Sequence, residues 1–193
     1  MQAQSELDSC GASTVRREES GGFIMSYHNK LRLLTMTALF AATITVTTAY
    51  LLHIPIPTGG YVHLGDTLIY LGACLLPLPW AVSAAAVGAG LADLLTAPMW
   101  VLPTLVIKAV LVLFFTNKGG KLLCRRNLAA IVAAGLFSPA AYALAGCAMA
   151  GTIAAFVPQF LGTLVQGIGS GALFLVIAPA LDGAGLKERL IHN

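Results

Sequence analysis

Between residues 127 and 181 this chain carries no Asp, Glu, Lys or Arg, and the runs 33–65, 67–92, 94–107 and 109–117 are equally free of them. Uncharged apolar runs of roughly 18 residues or more read as membrane-spanning helices, because a helix satisfies its own backbone where the bilayer offers no partner. Composition agrees: 58% of residues are hydrophobic and 10% charged, against about 25% charged in soluble domains. The sequence therefore predicts an all-α, multi-pass integral membrane protein.

The basic residues set the number of spans. A first helix over about 30–52 starts beside Lys30 and Arg32, and "HIPIPTGGYVHLGD" cannot continue it through Pro55, Pro57, Gly59 and Gly60. The next run is long enough for one span, but Pro77 and Pro79 in "LLPLPW" fall near its middle. Read as a tight turn between two short helices, they bring the N-terminus, the 117–126 loop and the C-terminus to one side. That side then holds every Lys and Arg of the chain's eleven except Lys108. A single helix there would put "NKGGKLLCRR" opposite Lys30 and Arg32. The positive-inside rule favours the turn, with both termini cytoplasmic. Six transmembrane helices are expected: about 30–52, one starting at Asp66, 80–95, 101–116, 127–148 and 160–181. The external loops, 53–65, 96–100 and about 149–159, contain no Lys or Arg.

Residues 1–24, with Arg16, Arg17, Glu18 and Glu19, lack an apolar face and the short apolar core of a signal peptide. They read as a disordered tail ahead of a membrane domain over 25–193, and Met25 offers an alternative start. Cys10, Cys74, Cys124 and Cys147 show no CxxC spacing, which favours packing residues or free thiols over a metal or redox site. No metal or cofactor is expected. The net charge of +3 forms no single patch and points to no nucleic acid.

Asp66, Asp93 and Lys108 fall in the outer third of this topology. A charge in the bilayer costs at least about 2.5–3.5 kcal/mol, so partners or a polar cavity are expected. Lys108 bridging a carboxylate would lock helices 2, 3 and 4 together; the same cluster would also line a solute pocket open to the outside. Asp66, following Gly65, is further placed to cap helix 2. His63 reads as a loop histidine. Tyr61, Tyr70 and Trp100 lie near the outer face, where they serve either as interfacial anchors or as stacking surfaces for a planar ring. Small residues in "AVSAAAVGAGLA", Gly167-xxx-Gly171 and Ala38-xxx-Ala42 permit close helix contacts. No GxxxxGK[ST] phosphate loop, HExxH or GxSxG is present. The chain is not expected to be an enzyme or to hydrolyse ATP itself.

"GGYVHLGDTLIYLGACLLP", "GAGLADLL" and "LPTLVIKAVLVLF" together resemble the substrate-binding S components of energy-coupling factor (ECF) vitamin transporters. The likeness is to the riboflavin-type branch, which includes pyridoxine- and hydroxymethylpyrimidine-class transporters, and it covers about residues 30–190. It rests on Gly65-Asp66, Ala92-Asp93 and Thr104 to Lys108 in order across three helices. The resemblance implies a six-helix subunit in a prokaryotic plasma membrane. It implies capture of a vitamin or precursor from outside, and docking on a transmembrane T component driven by two ABC ATPase subunits. It places Tyr61, His63, Asp66, Asp93, Trp100, Thr104 and Lys108 at the substrate or its gate, likens the 53–65 loop to a gating loop, and makes Ala38 and Ala42 the T-component contact. "LPLPW" departs from the Gly-Pro of many relatives. The alternative is a stand-alone secondary transporter that uses the Asp66/Asp93/Lys108 cluster.

Overall fold

The structure, a computed structural model, describes residues 27–51, 54–55, 61–187 and 189. Among these are six α-helices: α1 Tyr27–Ala49, α2 Asp66–Leu75, α3 Leu78–Thr96, α4 Val101–Val112, α5 Arg125–Ala150 and α6 Phe156–Gly183. Four stretches are long and apolar enough to cross a bilayer, Lys30–Ala49, Leu78–Thr96, Arg125–Ala150 and Ile153–Gly183, while Asp66–Leu75 and Pro98–Val112 are shorter apolar helices. The protein is a multi-pass membrane protein, with α2 and α4 held against the long helices.

The proline pair acts as the turn its chemistry suggests. Leu76 leaves α2 in extended conformation, and Pro77, without an N–H, stands at the N-cap of α3 with Pro79 in its first turn. Several ends differ from the spans expected of hydropathy, and α6 begins at Phe156, about four residues early. Helix α4 stops at Val112, four residues early, where the chain passes through a turn at Leu113 and Phe114. Helix α1 stops at Ala49 rather than Leu52. In the loop that follows, two-residue strands, β1 Ile54–Pro55 and β2 Tyr61–Val62, pair antiparallel. Of the gating loop expected over 53–65, residues 53 and 56–60 lie outside the described residues, as do residues 1–24.

Close approaches occur where the sequence is small. A Cβ on Gly88 would sit 2.8 Å from the Ala41 carbonyl oxygen and 2.9 Å from Ile44, so α3 meets the backbone of α1 there. Thr45 of α1 reinforces the contact by donating to the Gly88 carbonyl (2.9 Å). On α6, Gly167 faces the Cα of Gly135 and Gly171 faces Ile131. Dispersion and shape must hold such contacts, because lipid tails are as apolar as leucine. Ala38 and Ala42 differ: both are exposed on the outer face of α1.

The core is aromatic and lies toward the basic end. Tyr70 stacks on Phe115 (4.7 Å between centroids) and meets Phe174 edge-on, and the three form one cluster with Leu111, Leu122 and Ala178. Tyr70 is thus a fully buried core residue. This corrects both roles expected of it near the outer face, interfacial anchor or stacking surface. Asn127 closes the floor below. Its Oδ1 accepts from Thr116 N–H (2.9 Å), while its Nδ2 donates to the Leu122 and Thr116 carbonyls. Asp182 accepts from the N–H groups of Leu122 and Leu123 (2.7 and 3.1 Å), tying the 113–124 loop to α6.

Candidate functional site

The start of α2, the end of α3, the start of α4, the last third of α5 and the start of α6 converge at the end opposite Lys30 and Arg125. Asp66 begins α2 and Lys108 lies in the second half of α4; each is 1% exposed. Lys108 Nζ donates to both carboxylate oxygens of Asp66, at 2.7 and 2.9 Å, and Gln166 Nε2 donates to Oδ2 at 3.0 Å. A bidentate contact with a third donor supplies the geometry that a desolvated pair requires. It also occupies the carboxylate: Asp66 makes no capping bond, and the N-cap position of α2 belongs to Gly65. The first turn of α2 is closed by backbone bonds to the Leu64 and Gly65 carbonyls instead.

Beside this pair lies a cavity lined by His63, Asp93, Trp100, Tyr142, Gln159, Thr163 and Gln166. Lys108 and Asp66 contact it at one remove. Lys108 stands 5.1 Å from the Tyr142 ring centroid, and Gln166 joins the wall to the Asp66 carboxylate. Thr104 hydrogen-bonds the Tyr142 hydroxyl (2.8 Å), and Trp100 packs at 5.8 Å on the same ring. The expected cluster of three charges is therefore split in role. Asp66 and Lys108 neutralise each other behind the wall, while Asp93, 5% exposed, lies on the wall itself.

His63 is more than a loop residue. It is buried, and its Nδ1 accepts the Gly65 N–H at 3.0 Å, which fixes the neutral ring as the Nε2–H tautomer. Gly65 is required at this crossing: an added Cβ would collide with Thr48 Oγ1 of α1 and reach within 3.0 Å of His63 Nδ1. Trp100 reaches the wall through the turn Pro98–Trp100, whose Pro98 opens it after Ala97. The Tyr61 side chain lies outside the described residues.

Four wall residues escaped the sequence reading: Tyr142, Gln159, Thr163 and Gln166. The last three carry a legible signal. Spaced i, i+4 and i+7 on an otherwise apolar helix, they form one polar stripe, and burial of each confirms that it faces inward. Tyr142 carries no such pattern, because its partner Thr104 lies on another helix.

The cavity offers carboxylate and amide acceptors, amide and hydroxyl donors, and two aromatic walls. It encloses about 30 Å³ of space that the centre of a water molecule can reach. Small-molecule sites commonly enclose about 300–1,000 Å³, so a solute of vitamin size enters only if the wall moves outward. Among the described residues no group of three or more His, Cys, Asp or Glu could hold a metal ion.

The family model for the ECF-type riboflavin transporter S component matches residues 28–182. The chain is also similar to a Pyrococcus woesei protein known only as an uncharacterized protein in the gap 3' region. The two are 37% identical over 154 residues, covering 76% of this chain and 96% of that relative.

Proposed function

Since the chain belongs to the ECF-type riboflavin transporter S component family, a family of membrane subunits that bind vitamin-type substrates, we propose that it captures a planar vitamin or vitamin precursor for import. The observation that carries this reading is the cavity that Trp100 and Tyr142 line together. It is the place where a buried carboxylate, Asp93, meets the inward polar stripe of α6. With Lys108 and Asp66 paired to each other, Asp93 is the carboxylate that lies on the wall itself. The carboxylate and amide acceptors of the wall suit a ring rich in N–H and O–H donors, of the riboflavin, pyridoxine or hydroxymethylpyrimidine class. The roles of His63, Asp93, Trp100 and Thr104 are direct contact or support of the wall; Asp66 and Lys108 position Gln166 and Tyr142.

In this reading all six helices lie in the plasma membrane of a prokaryote, with the Lys- and Arg-rich end and both termini cytoplasmic. The cavity then opens outward. Energy comes from a T component and two ABC ATPase subunits, and the exposed pair Ala38 and Ala42 on α1 supplies the contact with the T component.

Fluorescence titration tests the site directly. The protein has two tryptophans, and Trp100 is on the wall, so ligand binding quenches wild type strongly and Trp100→Phe weakly. Riboflavin, pyridoxine and hydroxymethylpyrimidine form the panel. Binding undiminished in Asp93→Asn and Gln166→Leu would remove the cavity from the reading. Uptake by the purified protein alone in liposomes would instead favour the stand-alone transporter.

A further inference from the structure

Gln166 touches both halves of the site. It lines the cavity, and its Nε2 donates to Asp66 Oδ2 at 3.0 Å. That one bond fixes which way the side-chain amide faces. The Asp66 carboxylate is held by the Lys108 ammonium at 2.7 and 2.9 Å, and an ionised carboxylate only accepts hydrogen bonds. Only the NH2 end of Gln166 can meet it. Reversing the amide would set two acceptor oxygens against each other in a dry interior, where an unpaired polar group is costly.

The carbonyl Oε1 diverges from Nε2 and so turns away from Asp66. The bond to Asp66 is the one that the Gln166 side chain makes among the described residues, yet Oε1 is not one of their enclosed polar atoms without a partner. Oε1 is therefore open, and the surface it opens on is the cavity. Thr163, three residues earlier on the same face of α6, acts in the same sense. Its hydroxyl donates to the Gln159 carbonyl at 3.0 Å, so what it offers a solute is its lone pairs.

We propose that Gln166 is a specificity-determining residue. The Asp66–Lys108 pair holds its carbonyl toward the solute, where it accepts from a ring N–H, amino or hydroxyl group and rejects an analogue carrying methyl in place of that hydrogen. The inference rests on the function proposed above. A free amide donates as readily as it accepts, so its selectivity comes from whatever holds its other end. The buried ion pair supplies that hold, which makes Asp66 and Lys108 positioning residues. Discrimination follows because the wrong solute leaves a buried protein acceptor unpaired.

Tryptophan fluorescence titration of the purified protein with matched pairs provides the test. The pairs are riboflavin and its ring-N-methyl derivative, pyridoxine and its phenolic methyl ether, and hydroxymethylpyrimidine and its dimethylamino analogue. For the parent that binds wild type, the methylated partner is expected to bind on the order of tenfold more weakly. Gln166→Met keeps the length of the side chain without its acceptor, and is expected to weaken the parent and close the gap. Asp66→Asn/Lys108→Met keeps Gln166 but frees its amide to face either way, and is expected to narrow the gap too. A purely structural role would lower both affinities alike and leave the gap intact. An undiminished gap in Gln166→Met means that bulk alone excludes the methyl group and overturns the proposal. That variant retains the ion pair, so its result stands even where the double variant fails to fold. An undiminished gap in a folded double variant overturns the proposal as well. Equal binding of both members of every pair overturns this inference alone. If no parent compound quenches wild type, the proposed function fails and the inference falls with it.

Discussion

Lys108 shows how much a single side chain is asked to do. It is 1% exposed and both its near partners on Asp66 are carboxylate oxygens. Removing one member of such a pair strands the other in a dry interior, which typically costs about 3–5 kcal/mol. Lys108→Met and Asp66→Asn are each expected to lower the melting temperature sharply, and the double variant to recover much of the loss. Additive losses in that cycle would mean that the pair is not coupled. Gly65→Ala is expected to destabilise the protein and disturb His63, with partial rescue by Thr48→Ala, which removes the colliding hydroxyl. A different titration is expected at the basic end. Lys187, beyond α6, is 3% exposed with no hydrogen-bond partner for Nζ among the described residues. Burial pushes its ammonium below the ordinary 10.5, and Cys74 and Asp182 oppose this only in part. An amine so shifted binds fewer protons folded than unfolded, so stability rises with pH through the interval beneath 10.5. Thermal melts of wild type should show that rise, and Lys187→Met should flatten it.

Helices α1 and α6 mark the limits of what the sequence makes legible. The proline turn, the charged residues of the site and the small-residue contacts of α3 and α6 follow from residue type, because Pro, Gly and an isolated charge have few physical uses in a membrane. The polar stripe Gln159, Thr163 and Gln166 is equally readable, but uncharged polar residues are cheap enough in a membrane helix to pass without notice. The pairing of Lys108 with Asp66 rather than Asp93 is not readable at all. Both carboxylates lie within a turn or two of the same depth, and only the side-by-side placement of helices chooses between them. Thr104 with Tyr142 is a similar case, set by how α4 leans on α5. At this scale the α1 face can be tested. Ala38→Leu and Ala42→Leu point outward, so the isolated protein should melt like wild type. Co-purification with a T component and its ATPases should weaken; unchanged co-purification would remove this face from the interface.

For the molecule as a whole, the ends are chemically opposite. Lys30, Arg32, Lys118, Lys121, Arg125, Arg126, Lys187 and Arg189 sit at one, with Arg32 reaching the Arg189 carbonyl (3.5 Å) across it. The other presents the cavity and the highly exposed Ile153. In a background with the native cysteines replaced, Ile153→Cys should react with an impermeant maleimide on intact cells. Lys121→Cys should react only after permeabilisation, and the reverse pattern would invert the topology.

Helix α1 has a further significance. Its outer side carries Ala38 and Ala42, while its inner side lays Ile44 against Gly88 and Thr48 against the glycine that seats His63. A helix with its side chains is about 10–12 Å across, so whatever leans on the outer side is separated from the solute by the thickness of one rod. Gly88 and Gly65 let α1 sit close against α3 and the start of α2 on that side. Under the proposed function, a partner seated on Ala38 and Ala42 and a solute held beside His63 would be coupled through this one helix.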